Sequence, residues 1–188
     1  PPRSTRYFTL FPYTTLFRSL RAKSIVDIGS GAGFPGMVLA IACPDSRITL
    51  IEADLKKSQF LNKAIQSLHL NNVEVIRERV EVLGQSARYR AAFDICTSRA
   101  VAPLNVMAEY SLPLLRLQGK AIMWKGRNYQ EELNEAQNAL SVLGGDLEDI
   151  YSYELMGERD RVLLVINKAQ DTPQQYPRRT GIPSKRPL

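Results

Sequence analysis

One histidine and two cysteines in 188 residues leave this chain little with which to hold a transition metal. His69, Cys43 and Cys96 stand apart, without metal-ligand spacing, so neither a zinc site nor a disulfide framework is expected. No run of about 18 apolar residues occurs, which argues against a membrane-spanning helix, and no charged, apolar, small-residue leader is visible. A reducing cytoplasm and a monomer are the expected setting and state. With 44% hydrophobic and 23% charged residues the composition is that of a globular protein, neither disordered nor fibrous. A chain of this length buries roughly 70% of its unfolded surface as one domain and has no room for a second.

The net charge of +6 is concentrated at the ends. Residues 1–23 carry Arg3, Arg6, Arg18, Arg21 and Lys23 and no acid, while residues 168–188 carry Lys168, Arg178, Arg179, Lys185 and Arg186 against Asp171 alone. Basic ends either solvate the chain or meet a polyanion such as nucleic acid. Pro1–Lys23 shows no helical periodicity and mixes Pro, Thr, Phe and Arg unlike anything that follows, so it is expected to be disordered or foreign to the fold.

From Ser24 onward strand-like and helix-like segments alternate, the signature of right-handed βαβ units. Strands are predicted at 24–28, 47–51, 73–76, 93–97, 119–124, 147–155 and 161–167, with helices after the first, second, fourth and fifth. Pro35 suits the first turn of the first helix. Asp54 suits the cap of the second, where Leu61, Ala64, Ile65 and Leu68 recur at helical spacing. The last two strands have no helix between them, which implies an antiparallel pair at the sheet edge. The expected fold is therefore α/β, a mostly parallel seven-stranded sheet over 24–168 followed by a basic tail, 169–188.

In such a sheet ligands collect beyond the carboxyl ends of the strands. The loop after the first strand is Gly29-Ser30-Gly31-Ala32-Gly33-Phe34-Pro35-Gly36. Glycines let the backbone turn tightly against a ligand, and the following helix offers free N–H groups. Gly31, Gly33 and Gly36 also satisfy the dinucleotide pattern G-x-G-x-x-G, so a nicotinamide-dependent oxidoreductase is the rival reading. The run beginning at Gly29 directly after an Asp27-bearing strand, and the absence of space for a nicotinamide-substrate domain, favour a Rossmann-like (class I) methyltransferase using S-adenosylmethionine. Glu52, closing the second strand, is placed to accept ribose hydroxyls. Val80 and Glu81, after the third, are placed near an adenine.

The loop after the fourth strand, Ser98-Arg99-Ala100-Val101-Ala102-Pro103, borders the point of methyl delivery. It lacks the Asn/Asp-Pro-Pro-aromatic motif common in enzymes that methylate exocyclic amines. Cys96 lies inside a strand and reads as core rather than as a nucleophile. A target that is already nucleophilic, such as guanine N7, fits what remains. It needs no general base, so no catalytic residue is assigned beyond Arg99 and Lys125 as positioning candidates. Lys125 and Arg127, with Arg178, Arg179, Lys185 and Arg186 of the tail, are candidate RNA contacts.

Together the motifs Val26–Gly36, Arg79-Val80-Glu81, Phe93-Asp94, Ser98-Arg99-Ala100, Lys125-Gly126, Gly157-Glu158-Arg159 and Tyr176-Pro177-Arg178-Arg179 with Gly181-Ile182-Pro183 resemble the bacterial small-subunit ribosomal RNA guanine-N7 methyltransferase family, RsmG or GidB. The resemblance runs through residues 24–188. It implies S-adenosylmethionine as donor, cofactor contacts at Gly29, Phe34, Val80, Glu81 and Arg99, and a guanine of 16S rRNA in the small ribosomal subunit as substrate. It also implies an N-terminal helical region of several dozen residues, which Pro1–Lys23 does not resemble. A form that binds cofactor or RNA without catalysis is the non-enzymatic alternative.

Overall fold

A computed structural model describes residue 20 and residues 22–155 and 158–188, without the side chains of 154–155 and 158–160. The expectations for residues 1–19 and Arg21, and for the motif at 157–159, lie outside the described residues and side chains. Seven strands form one sheet in the order β3-β2-β1-β4-β5-β7-β6. They are β1 (Ser24–Ile28), β2 (Arg47–Ile51), β3 (Val73–Ile76), β4 (Phe93–Arg99), β5 (Leu115–Lys125), β6 (Gly145–Leu155) and β7 (Glu158–Lys168). β1 to β5 pair in parallel, whereas β7 runs antiparallel to both β5 and β6. The edge pair is thus antiparallel, as two successive strands without a crossover helix require.

The helices are α1 (Gly36–Ala42), α2 (Leu55–Ser67), α3 (Val80–Gln85), α4 (Leu104–Ser111), α5 (Tyr129–Leu143) and a short α6 (Ile182–Lys185). Alternate residues of each central strand bury against opposite layers. Ile25, Ile48, Leu50, Ile95 and Ile122 pack with Met37 and Leu39 of α1 and Leu61 of α2. Val26, Ile28, Cys96, Ala121 and Met123 pack with Met107 of α4 and Ala136 and Leu140 of α5. Asp54 caps α2 by accepting from the Lys57 N–H at 2.9 Å, as its sequence position predicts.

Several boundaries depart from the sequence reading: β4 runs on to Arg99, so Ser98 and Arg99 belong to the strand rather than to the loop after it, β6 and β7 begin at Gly145 and Glu158, and α3 follows β3. Pro35 stands at the N-cap of α1, one residue outside it. The helix expected from Pro103 to about Leu115 ends at Ser111 and tightens into a 3-10 turn, Leu112–Leu114, that contains Pro113. β5 begins four residues before Gly119, with Gln118 at φ +63° in an irregularity of the β4–β5 pairing. A side chain at 119 would lie 3.0 Å from the Asp94 carbonyl oxygen, so the glycine serves a close backbone approach rather than a strand start.

The basic tail is bound to the sheet domain. The Gln85 amide donates to the carbonyls of Pro177 and Gln174, and the Arg90 guanidinium donates to those of Thr172, Pro173, Tyr176 and Gly84. Arg178 grips the Glu109 carboxylate through both Nε and Nη2, at 2.9 and 2.6 Å, and its backbone N–H adds a third bond at 2.7 Å. Glu109 is 1% exposed, alone as an acid on the otherwise apolar α4. Removing one partner of a buried pair strands the other charge and costs about 3 kcal/mol or more. Arg178→Ala is therefore expected to lower unfolding free energy by about 3 kcal/mol in urea titration; a loss within about 0.5 kcal/mol would mean that the pair does not fasten the tail.

Asp27 joins three elements at the end of β1. One oxygen accepts from the Thr97 hydroxyl of β4 at 2.9 Å and the other from the Gly36 N–H of α1 at 3.3 Å. Burial raises its carboxyl from 3.8 to about 6, against the lowering effect of the hydrogen bonds from Thr97, Ser30 and Gly36. The folded state then holds the proton more tightly than the unfolded chain between these values, so this group's contribution to stability falls as pH rises from about 4 to 6 and is level above. Asp27→Asn is expected to gain stability relative to the native chain across that window, measured by urea titration at several pH values. Parallel curves for the two proteins would refute the shift.

Candidate functional site

The glycine loop turns directly off the centre of the sheet. The N–H groups of Gly29 and Ser30 both donate to the Ile51 carbonyl, at 2.9 and 3.1 Å, and the Ser30 hydroxyl returns to the Asp27 carbonyl at 3.0 Å. Gly29, Gly31 and Gly33 have φ of +66°, +55° and +93°, a left-handed backbone that a side chain would strain. Their surroundings differ. A side chain at 29 would strike Val101 at 2.6 Å and one at 33 would strike Met37 at 2.5 Å, whereas position 31 is open apart from the Gly29 carbonyl at 3.8 Å. Gly29 and Gly33 are therefore required by close packing as well as by their backbone, Gly31 by its backbone alone, and Gly29 also borders open space.

That space is a cavity of about 310 Å³ lined by Gly29, Glu52, Val80, Glu81, Val101 and Tyr110, among others. Glu52 reaches it from the end of β2 and is 7% exposed. Its two oxygens accept one backbone N–H each, from Gly31 and from Asp54, both at 2.9 Å. A carboxylate has about four acceptor positions, so two remain for hydroxyl donors in the cavity. Val80 opens α3, which turns its first residues toward the same space. Glu81 is 3% exposed and accepts from the Gly181 N–H at 2.9 Å, so this expected cofactor contact also ties down the tail. Tyr110 does likewise through the Ser184 hydroxyl at 2.8 Å.

Phe34 and Arg99 lie instead on a second cavity, of about 740 Å³, bordered by the loops after β1, β4 and β5 and by β6 and β7. The Arg99 guanidinium stands 5.5 Å from the centre of the Phe34 ring, in cation–π range, and the ring is 52% exposed. Ala100 and Val101 line both cavities and form the partition between them. The eight residues expected to hold the cofactor thus divide: Gly29, Glu52, Val80 and Glu81 on the smaller cavity, Phe34 and Arg99 on the larger, and Gly31 and Gly33 in the loop but lining neither.

Two of the expected RNA contacts are otherwise engaged. Lys125 is only 9% exposed at its side chain, and its ammonium donates to Glu132 at 2.6 Å and to the Ala102 carbonyl at 2.9 Å. It is a strut between β5, α5 and the loop after β4 rather than a free cation at the rim. Arg178 is likewise committed to Glu109, since a buried carboxylate holds a guanidinium more strongly than an exposed phosphate can. Arg127, Arg179, Lys185 and Arg186 are exposed.

The sequence reading did not single out Glu132, Tyr153 or Arg161, and it took Trp124 only as a strand end, yet all four line the larger cavity. The one tryptophan of the chain at the carboxyl end of a central strand was the available signal. Cys96 is fully buried in β4, and burial pushes its thiol well above the ordinary range, with the nearby Asp27 adding to the effect. It is no thiolate nucleophile. Among the described residues no group of three or more His, Cys, Asp or Glu side chains could hold a metal, and no helix is long and apolar enough to cross a membrane.

The family model GidB, rRNA small subunit methyltransferase G, matches residues 10–161. The chain is 54% identical over 172 residues to the ribosomal RNA small subunit methyltransferase G of Syntrophomonas wolfei, which covers 92% of this chain and 80% of that protein. It is 46% identical over 174 residues to the protein of the same name from Carboxydothermus hydrogenoformans, covering 92% and 74%. Its fold matches a SAM-dependent methyltransferase of Methanosarcina mazei with a TM-score of 0.64 at 14% identity, over 86% of this chain and 99% of that one. With a class I methyltransferase fold and relatives of this identity over most of its length, the chain belongs to the rRNA small subunit methyltransferase G family.

Proposed function

We infer that this protein transfers the methyl group of S-adenosylmethionine to N7 of a guanine in 16S rRNA of the small ribosomal subunit. The observation that carries the reading is the pair of adjoining cavities at the carboxyl ends of the strands, one edged by a buried carboxylate and a glycine turn, the other by aromatic and basic side chains. The smaller accepts a nucleoside: Glu52 offers acceptors to ribose hydroxyls, and Val80 offers an apolar face to adenine. Arg99 lies beyond the partition, where a guanidinium can hold a carboxylate. A dinucleotide reading gains no support, because the family model that matches residues 10–161 is that of a methyltransferase.

When bound, S-adenosylmethionine supplies a sulfonium-activated methyl group. The N7 lone pair would accept that methyl group and the guanine ring the positive charge, in a site held by Glu52, Val80 and Arg99. No proton leaves the attacking atom, so the protein's task is orientation and electrostatic stabilisation. Exposed Arg127, Arg179, Lys185 and Arg186 supply positive charge for an RNA backbone. An RNA substrate of this kind places the work in the cytoplasm.

Glu52→Ala is expected to weaken S-adenosylmethionine binding roughly 10- to 100-fold by calorimetry, the worth of charge-assisted hydrogen bonds. Unchanged affinity would remove the ribose assignment, and binding of NAD in place of S-adenosylmethionine would restore the oxidoreductase. Cys96→Ala is expected to keep methyl transfer within about threefold of the native rate, because the mechanism uses no thiol. Mass mapping of small-subunit RNA after incubation should find N7-methylguanine, and its absence would reject the reading.

A further inference from the structure

Part of the larger cavity lies beyond what a methyl donor in the smaller one needs. Trp124 from the end of β5, Tyr153 from β6 and Glu132 from the first turn of α5 line it and do not line the smaller one. We propose that this is the subsite for the target base and that Glu132 reads the Watson–Crick edge of guanine; the proposal rests on the guanine-N7 reading above.

The chemistry of the base selects the residue. Guanine carries two adjacent donors, N1–H and the N2 amino group, on one edge, and its acceptors O6 and N7 on the other. A carboxylate facing the donor edge pairs with both hydrogens and leaves N7 turned toward the donor side of the cavity. Adenine presents an acceptor at N1, which a carboxylate repels, so the same group discriminates between the two purines that offer an N7 lone pair.

Glu132 is built for such a role. Its Oε2 receives the Lys125 ammonium at 2.6 Å and the Leu104 N–H at 2.9 Å, so the side chain is fixed in place by two elements. Its side chain remains 26% exposed, against 9% for the lysine behind it. Lys125 supports the carboxylate from the protein side, which keeps the charge in a partly enclosed site. Trp124, Tyr153 and the exposed Phe34 ring give apolar faces on which an extruded base can stack. As the methyl group arrives the ring becomes cationic, and a carboxylate on its donor edge then binds the transition state more strongly than the ground state.

The test is a double-variant cycle. The native protein and Glu132→Gln are each assayed on small subunits reconstituted with guanosine or with inosine at the methylated position, inosine lacking the N2 amino group. Methyl transfer is read at limiting subunit, and subunit binding is read in the presence of S-adenosylhomocysteine. Inosine is expected to lower both for the native protein roughly 10-fold, and Glu132→Gln to lower both on guanosine by a similar factor. The two losses are expected not to multiply when combined. Should Glu132→Gln fail to fold, Glu132→Asp takes its place, with inosine discrimination retained because the carboxylate is kept. Equal rates on guanosine and inosine by the native protein, or losses that multiply, would overturn the subsite and leave Glu132 as a strut only. If the native protein made no N7-methylguanine on any subunit, the N7 reading would fall, and the subsite with it.

Discussion

The site depends on a buried carboxylate beneath the glycine loop. Three residues of that loop hold a left-handed backbone, which a free chain of this composition would seldom adopt together. Asp27 sets the two ends of the turn by taking the Gly36 N–H at the start of α1 and the Thr97 hydroxyl of the neighbouring strand. Glu52 holds its middle through the Gly31 N–H. The approach of α1 to Asp27 requires glycine at 36, where a side chain would lie 2.9 Å from the carboxylate oxygen and 2.3 Å from Leu50. Burying an acid is costly, and the raised carboxyl of Asp27 records that cost. The gain is a turn whose outer surface is bare backbone, against which a nucleoside can lie.

The partition between the cavities depends on a similar arrangement on the other side. Ala100 has φ +56°, an unfavourable conformation for a residue with a side chain, so the loop after β4 needs to be held. Lys125 takes the Ala102 carbonyl and Glu132 takes the Leu104 N–H, and the two side chains also bind one another. This strut spans β5, α5 and the start of α4. It fixes Val101 over Gly29 and at the same time shapes the wall of the larger cavity, so the two cavities share one divider.

The first three strands were legible to the residue, because each is a short run rich in β-branched residues closed by turn residues; β1 and β2 are buried on both faces, whereas β3, at the sheet edge, is only partly buried. The cap at Asp54 and the burial of Cys96 were legible for the same local reasons. The true start of β5 was not, since Arg116, Leu117 and Gln118 are exposed and pattern like a loop. The engagements of Lys125 and Arg178 were also hidden. Each depends on an acid supplied by another element, and a cation at a strand end or in a proline-rich tail reads as solvated charge until that acid is placed. Glu109 held a signal in retrospect: an acid between Ala108 and Tyr110 on an apolar helix must find a partner.

The same long-range pairs explain why the scarcity of histidine matters little to this site. Three of the carboxylates around the two cavities, Glu52, Glu81 and Glu132, each accept backbone N–H groups: from Gly31 and Asp54, from Gly181, and from Leu104. They hold the loops in position rather than standing ready to take a proton. The one histidine, His69, lies just past α2 and lines neither cavity. Attack by a ring nitrogen that bears no proton asks for no base, only for two partners held in line across a divider. Acids used as fasteners and a site without histidine are what such a reaction permits.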